Sequence, residues 1–247
     1  MTKLVAACLI VLLAGCASGE VKQTGKERAQ SSAKLHTELA GMYLERDQLG
    51  IALSEIGRAL QADGSYAPAY NVRGLIHMSL REDKEAEEDF VQSLRLDKTD
   101  SEAQNNYGWF LCQRSREMES IPHFMAAVKN PLYTTPERAY LNAGLCFQKA
   151  GKARDAEDFL QRALRVQPDL KQALLAMAEL KFAEGDYQAA KKNFSRFASE
   201  NMTAEQLWLG VRIERRVGDS NAEASYALKL REHYPDASET QLLMHGE

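Results

Sequence analysis

Residues 141–160, LNAGLCFQKAGKARDAEDFL, carry the pattern that decides the fold. A small residue, Gly144, is followed twelve positions later by another, Ala156, and four positions beyond that by a large apolar one, Leu160. Between them Ala150-Gly151-Lys152 interrupts a run otherwise rich in helix formers. Four residues is about one helical turn, so Ala156 and Leu160 share one face of a second helix. A glycine on the first helix lets two backbones approach closely, and the leucine fills the space beside them. The expected unit is a helical hairpin.

Working outward, the same triplet recurs along the chain. Small residues stand at Ala40, Gly74, Gly108, Gly144, Ala178 and Gly210, spaced by 34, 34, 36, 34 and 32 residues. Twelve positions after each come Ala52, Ala86, Ser120, Ala156, Ala190 and Ala222, and four further on Ile56, Phe90, Phe124, Leu160, Phe194 and Tyr226. Turn signals fall between the predicted helices at Asp63-Gly64, Gly151-Lys152, Gln167-Pro168-Asp169, Gly185-Asp186, Gly218-Asp219 and Tyr234-Pro235-Asp236. A period of 34 in this pattern resembles the tetratricopeptide repeat, a helix-turn-helix unit. The expected fold is therefore all-α: a right-handed superhelical solenoid of six tetratricopeptide repeats, 33–66, 67–100, 101–136, 137–170, 171–202 and 203–236, with 237–247 as a C-terminal tail.

Two departures from the period mark irregular joints. A two-residue excess around Pro131-Leu132-Tyr133-Thr134-Thr135-Pro136 predicts a longer loop between repeats three and four, and a deficit near Asn201-Met202-Thr203 predicts a tighter joint before repeat six. In repeat six Lys229 replaces the Ala or Ser of earlier repeats, so the outer face of that repeat is expected to be a solvated cap.

The start of the chain reads differently. Met1-Thr2-Lys3 is short and basic, and Leu4 to Leu13 is an apolar run too short to cross a bilayer but suited to an export signal. Leu13-Ala14-Gly15-Cys16 resembles the lipobox of bacterial lipoproteins; an ordinary secretory peptide with a chance cysteine is the other reading. The resemblance implies cleavage after residue 15 and acylation of Cys16, and Ala17-Ser18 lacks the Asp that it associates with inner-membrane retention. The periplasmic face of the outer membrane is thus the expected location, with 16–33 as lipidated cysteine and polar tether. With Val21 as the only large apolar residue between Ala17 and Ala33, that segment is expected to remain coil.

Composition narrows the chemistry. In 247 residues there are 31 Lys and Arg against 35 Asp and Glu, a net charge of −4, which argues against a phosphate-binding surface and hence a nucleic-acid partner. Fifteen Gly and six Pro suit a helical chain. Cys112 and Cys146 would sit in an oxidising compartment, where a bridge is allowed, although two buried thiols on helices are the simpler expectation. The five histidines lack the i, i+4 spacing of a helical zinc pair, and there is no glycine-rich phosphate loop or nucleophile elbow. No enzyme activity, small-molecule substrate, metal or cofactor is expected beyond the lipid on Cys16.

Binding is what remains. In repeat proteins of this kind ligands meet the first helix of each repeat, beside the small residue. Here that face offers Asn71, Val72, Leu75 and Met78; Asn105, Asn106, Trp109 and Gln113; and Leu141, Asn142 and Leu145. Asparagine amides can bond a peptide backbone, and the apolar residues offer pockets for its side chains; the alternative is that Trp109 or Leu145 packs on the adjoining repeat. Trp208, Leu207 and Val211 form an apolar inner surface or end packing, and the acidic run 81–89 reads as a solvated turn and helix start.

Taken with the lipobox and repeats, Asn105-Asn106-Tyr107-Gly108-Trp109-Phe110-Leu111-Cys112 and Leu132-Tyr133-Thr134-Thr135-Pro136-Glu137-Arg138 resemble the type IV pilus biogenesis/stability lipoprotein (pilotin, PilF/PilW) family over essentially the whole chain. That resemblance implies a partner, the outer-membrane secretin of the pilus system, whose localisation and multimerisation the protein would promote. A general periplasmic scaffold for peptidoglycan enzymes or outer-membrane barrel assembly is the alternative, because repeats of this type host many partners.

Overall fold

The computed structural model describes residues 24–246. The export signal and Cys16 with its lipobox lie outside the described residues. Among those described, every regular element is an α-helix, and the protein has the all-α tetratricopeptide-repeat fold. The chain divides into two compact units, 1–69 and 70–247.

In the first unit α1 (Gly25–Glu45) packs on α2 (Leu49–Ala62). The start of α1 differs from the coil expected up to residue 33. Thr24 accepts from the Glu27 amide while the Glu27 carboxylate accepts from the Thr24 amide, a capping box that satisfies two otherwise orphan donors and starts the helix at Gly25. That local signal outweighs the lack of large apolar residues. Inside the hairpin His36 Nδ1 lies 2.6 Å from the buried Glu55.

Helix α3 (Ala67–Leu80) crosses the division, and the second unit continues through α4 (Asp83–Leu96), α5 (Ser101–Gln113), α6 (Glu117–Lys129), α7 (Pro136–Lys149), α8 (Ala153–Val166), α9 (Lys171–Ala183), α10 (Tyr187–Phe197), α11 (Ala204–Val217), α12 (Ser220–His233) and α13 (Ser238–His245). Successive helices pack as hairpins, and the first helices of neighbouring repeats also touch, α5 on α7 and α7 on α9. The small-residue rule is visible in atomic distances. A methyl group added to Gly74 would stand 2.9 Å from the Phe90 ring, one on Gly108 2.9 Å from Phe124, and one on Gly144 2.7 Å from Leu160. Gly210 is closed in by both Phe194 and Tyr226. These are the small and large partners that the period pairs within each hairpin.

The turn inside each hairpin is equally regular. Asp47, Arg81, Ser115, Gly151, Gly185 and Gly218 all take positive φ, between 56° and 86°. Repeats four to six use glycine there, whereas the first three hold an ordinary side chain in a conformation that it disfavours.

Joints between repeats depart from expectation in one place. The loop of residues 130–135 before α7 is longer than the four-residue joints at 97–100 and 167–170, as the period predicts. Before α11, however, the joint also spans six residues, 198–203, so it is not tightened; the shortening comes out of α10, which stops at Phe197 after 11 residues where α8 has 14. Ala198 turns extended there, and the Thr203–Gln206 capping box fixes where α11 begins. The expected C-terminal tail also differs, because 238–245 form α13, packed on α11 and α12. Leu242 and Leu243 add to the last apolar cluster, and Thr240 donates to the Tyr234 carbonyl at 2.6 Å. It is this helix, more than Lys229, that covers the end of the stack.

Cys112 on α5 and Cys146 on α7 form a disulfide, with Cα atoms 5.8 Å apart. The two-thiol expectation is thereby replaced. The contact between successive first helices brings the sulfurs together, and the bridge staples repeat three to repeat four.

Candidate functional site

The face expected to bind a partner is built by α3, α5 and α7. Its asparagines form a ladder across three repeats: Asn142 Nδ2 donates to Asn105 Oδ1 at 3.0 Å, Asn105 Nδ2 to Asn106 Oδ1 at 3.4 Å, and Asn106 Nδ2 to Asn71 Oδ1 at 3.1 Å. Asn71, Asn105 and Asn106 are buried, and two of the three ladder bonds cross between helices. The ends of the ladder, Asn71 Nδ2 and Asn142 Oδ1, take no partner among the described residues. An amide donor and an amide acceptor are thus offered from one row of first helices.

The apolar members of the face divide in the same way. Leu75 and Met78 pack against the cluster of Phe90, Tyr107, Phe110 and Leu111. Trp109 leans on the cluster around the disulfide and Phe124, Leu141 is buried, and Leu145 packs on the cluster that holds Leu160 and Met177. Val72, Trp109, Asn142 and Leu145 keep part of their surface in water, and Gln113 is exposed. Side chains that seat the repeats on one another and side chains that meet solvent therefore alternate along this face.

Charge around it is mostly paired. Arg73 grips Asp89 with two hydrogen bonds, 2.8 and 2.6 Å, which raises the pKa of the guanidinium. In the acidic run Asp83 binds Arg114, whose hydrogen bonds hold the carboxyl below its usual range, while Glu87 accepts from both Arg116 and Tyr107. Burial, and then Glu87, pushes the Tyr107 phenol up to about 12. Three of the run's carboxylates are thus tied to arginines, and Glu85 and Glu88 are exposed. Leu207, Trp208 and Val211 are buried in the cluster that closes the last repeats.

One concavity was not anticipated. An open cleft of about 640 Å³ lies where the long joint folds over the start of α5. Tyr133 and Arg138 both donate to Glu102, at 3.1 and 2.8 Å, Asn130 donates to Ser101, and Leu132 projects with 83% of its surface exposed. The two-residue excess in spacing marked this loop in the sequence but not the cleft. Among the described residues no three His, Cys, Asp or Glu side chains gather as a metal site, and no helix is long and apolar enough to cross a membrane.

Comparison with known proteins agrees with the repeat register. The tetratricopeptide-repeat model matches residues 67–100 and 137–170, the second and fourth repeats as read from the spacing. The chain is 29% identical over 244 residues to the type IV pilus assembly protein PilF of Pseudomonas aeruginosa, across 96% of this chain and 97% of that protein. The crystal structure of PilW, described as a widely conserved type IV pilus biogenesis factor, is similar with a TM-score of 0.78 at 33% identity, across 86% of this chain and 98% of that one. A structure of Pseudomonas aeruginosa PilF gives a TM-score of 0.82 at 28% identity, across 91% and 100% of the two chains.

Proposed function

Since the chain belongs to the PilF/PilW family of tetratricopeptide-repeat type IV pilus biogenesis factors, we propose that it is a pilotin: a non-enzymatic lipoprotein that captures the pilus secretin and promotes its assembly in the outer membrane. Near-full-length similarity to proteins of pilus biogenesis is the observation that carries this reading. A role in type IV pilus biogenesis follows from the family; the partner, the anchor and the membrane are the proposal's own content.

In this reading acylated Cys16 holds the chain at the periplasmic face of the outer membrane, and the α3–α5–α7 face receives an extended segment of the secretin. The ladder ends at Asn71 and Asn142 would bond its backbone, while Val72, Trp109 and Leu145 would flank its side chains.

Deleting the gene should abolish detergent-resistant secretin multimers and surface pili; their persistence would remove the pilotin assignment. Asn142→Ala combined with Gln113→Lys alters only exposed or half-exposed side chains and breaks one ladder bond, to Asn105, so the fold should survive. Secretin recovered with the lipidated chain in a pull-down should fall by about tenfold. Unchanged recovery from a folded variant would move capture to another face.

A further inference from the structure

Arg212 on α11 has an environment that the pilotin reading does not use. Its guanidinium stacks between two aromatic rings, 4.9 Å from the centroid of Phe182 and 5.9 Å from that of Trp208. Its Nε is buried without any hydrogen-bond partner, the one such side-chain atom found among the described residues. Of the neighbouring cations, Arg215 donates to Glu223 at 2.8 Å and Lys191 bridges Glu214 and Asp219, while the exposed Arg216 lies over the Tyr187 ring, 5.6 Å from its centroid. Glu179, whose charge Arg212 senses, does not close an ion pair with it. Burial lowers the pKa of the Arg212 guanidinium, and the two rings and the charge of Glu179 offset that cost without supplying a hydrogen bond to Nε.

We propose that Arg212, Phe182 and Trp208 form a second recognition site, which receives a carboxylate carried by a partner polypeptide. A planar guanidinium fork matches a carboxylate in geometry and charge, and the half-buried Phe182 ring suits an apolar residue flanking the acidic one. A single guanidinium with no ion pair of its own among the described residues accommodates a monoanion. A phosphate group carries more charge than a carboxylate, and the second guanidinium over the Trp208 ring, Arg215, is already bonded to Glu223. The site lies on repeats five and six, and its existence does not depend on the identity of the partner proposed above.

The test uses the full chain in detergent micelles, titrated calorimetrically with three peptides: Ac-Ala-Leu-Glu-Leu-Ala-NH2, the same peptide with Gln for Glu, and that Gln peptide with a free C-terminal carboxylate. The Glu peptide should bind about tenfold tighter than the amidated Gln peptide. Arg212→Gln should erase that preference, and Arg212→Lys should restore only part of it, because the charge remains without the fork. Tighter binding by the free-carboxylate peptide than by the Glu peptide also supports the site and makes a chain end the source. Equal binding of the Glu and amidated Gln peptides overturns the proposal, as does a preference that survives in Arg212→Gln. Displacement of the Glu peptide by sodium phosphate at a lower concentration than by sodium acetate overturns the carboxylate assignment. The thermal midpoint of Arg212→Gln should stay within about 3 °C of the parent; a larger fall would make Arg212 a structural staple between the rings and would also overturn the proposal.

Discussion

At the scale of single residues, the second helix of each hairpin places a telling side chain three positions after its small residue: Glu55, Asp89 and His123 in repeats one to three. The first two are carboxylates bonded within their own hairpins, Glu55 to His36 and Asp89 to Arg73. His123 has a neutral hydrogen-bond partner instead. Its Nδ1–H donates to Gln104 Oε1 at 2.7 Å and its ring meets that of Tyr107 edge-on at 4.6 Å. Burial pulls its pKa below the ordinary 6.5, and the attraction of Glu119 only partly opposes this. Above pH 6.5 both folded and unfolded chains hold the ring neutral. Below it the unfolded chain takes up a proton first, so stability must fall with acidification until the folded ring also titrates. Chemical denaturation between pH 7 and 5 should show a loss of at most about 1.4 kcal/mol per pH unit from this group, and His123→Gln should flatten the profile by that amount. An unchanged slope in the variant would mean that the ring stays solvated.

At the scale of helices, a glycine's role depends on what faces it. Gly144 on α7 has Leu160 where its side chain would go, with the Leu160 backbone nitrogen also only 3.2 Å away, so Gly144→Ala must push two helices apart. A loss of about 1–3 kcal/mol is expected in denaturant unfolding. Gly57 in the interior of α2 meets nothing within 4 Å, so Gly57→Ala should gain about 0.5–1 kcal/mol through helix propensity alone. Opposite signs for one chemical change would establish close helix approach as the organising contact; equal effects would refute it. The disulfide works between repeats instead. Closing a loop with a sequence separation of 34, it contributes about 3–4 kcal/mol by chain-entropy reasoning. It stiffens the junction from which the candidate partner face is built.

For the whole molecule, the question is what holds it to a membrane under the proposed reading. Removing residues 1–15 takes away one charged side chain, Lys3, and shifts the net charge from −4 to −5. An acidic chain gains nothing from an anionic leaflet, and no helix among the described residues can span one. The lipid on Cys16 would therefore carry the whole attachment. Cys16→Ala should move the protein from the outer-membrane to the soluble periplasmic fraction without changing its helical circular dichroism. If the variant still sediments with the outer membrane, the anchor is elsewhere.

The sequence by itself determined the hairpin and its period, because these follow from spacings within a few helical turns. Gly108 and Phe124, or Gly144 and Leu160, can be paired on paper, since twelve plus four residues is a property of a single hairpin. Capping boxes are legible too, yet Thr24 and Glu27 lie in a segment whose lack of large apolar residues reads as coil. What only the tertiary structure decided lies between repeats. Whether Asn106 faces a ligand or bonds Asn71, whether Cys112 meets Cys146, where Leu132 projects, and that Arg212 lies unpaired between two rings all depend on how one hairpin registers on the next. Periodicity gives the face of a helix that a residue occupies; the partner waiting there some 34 residues away is set by packing that no local spacing encodes.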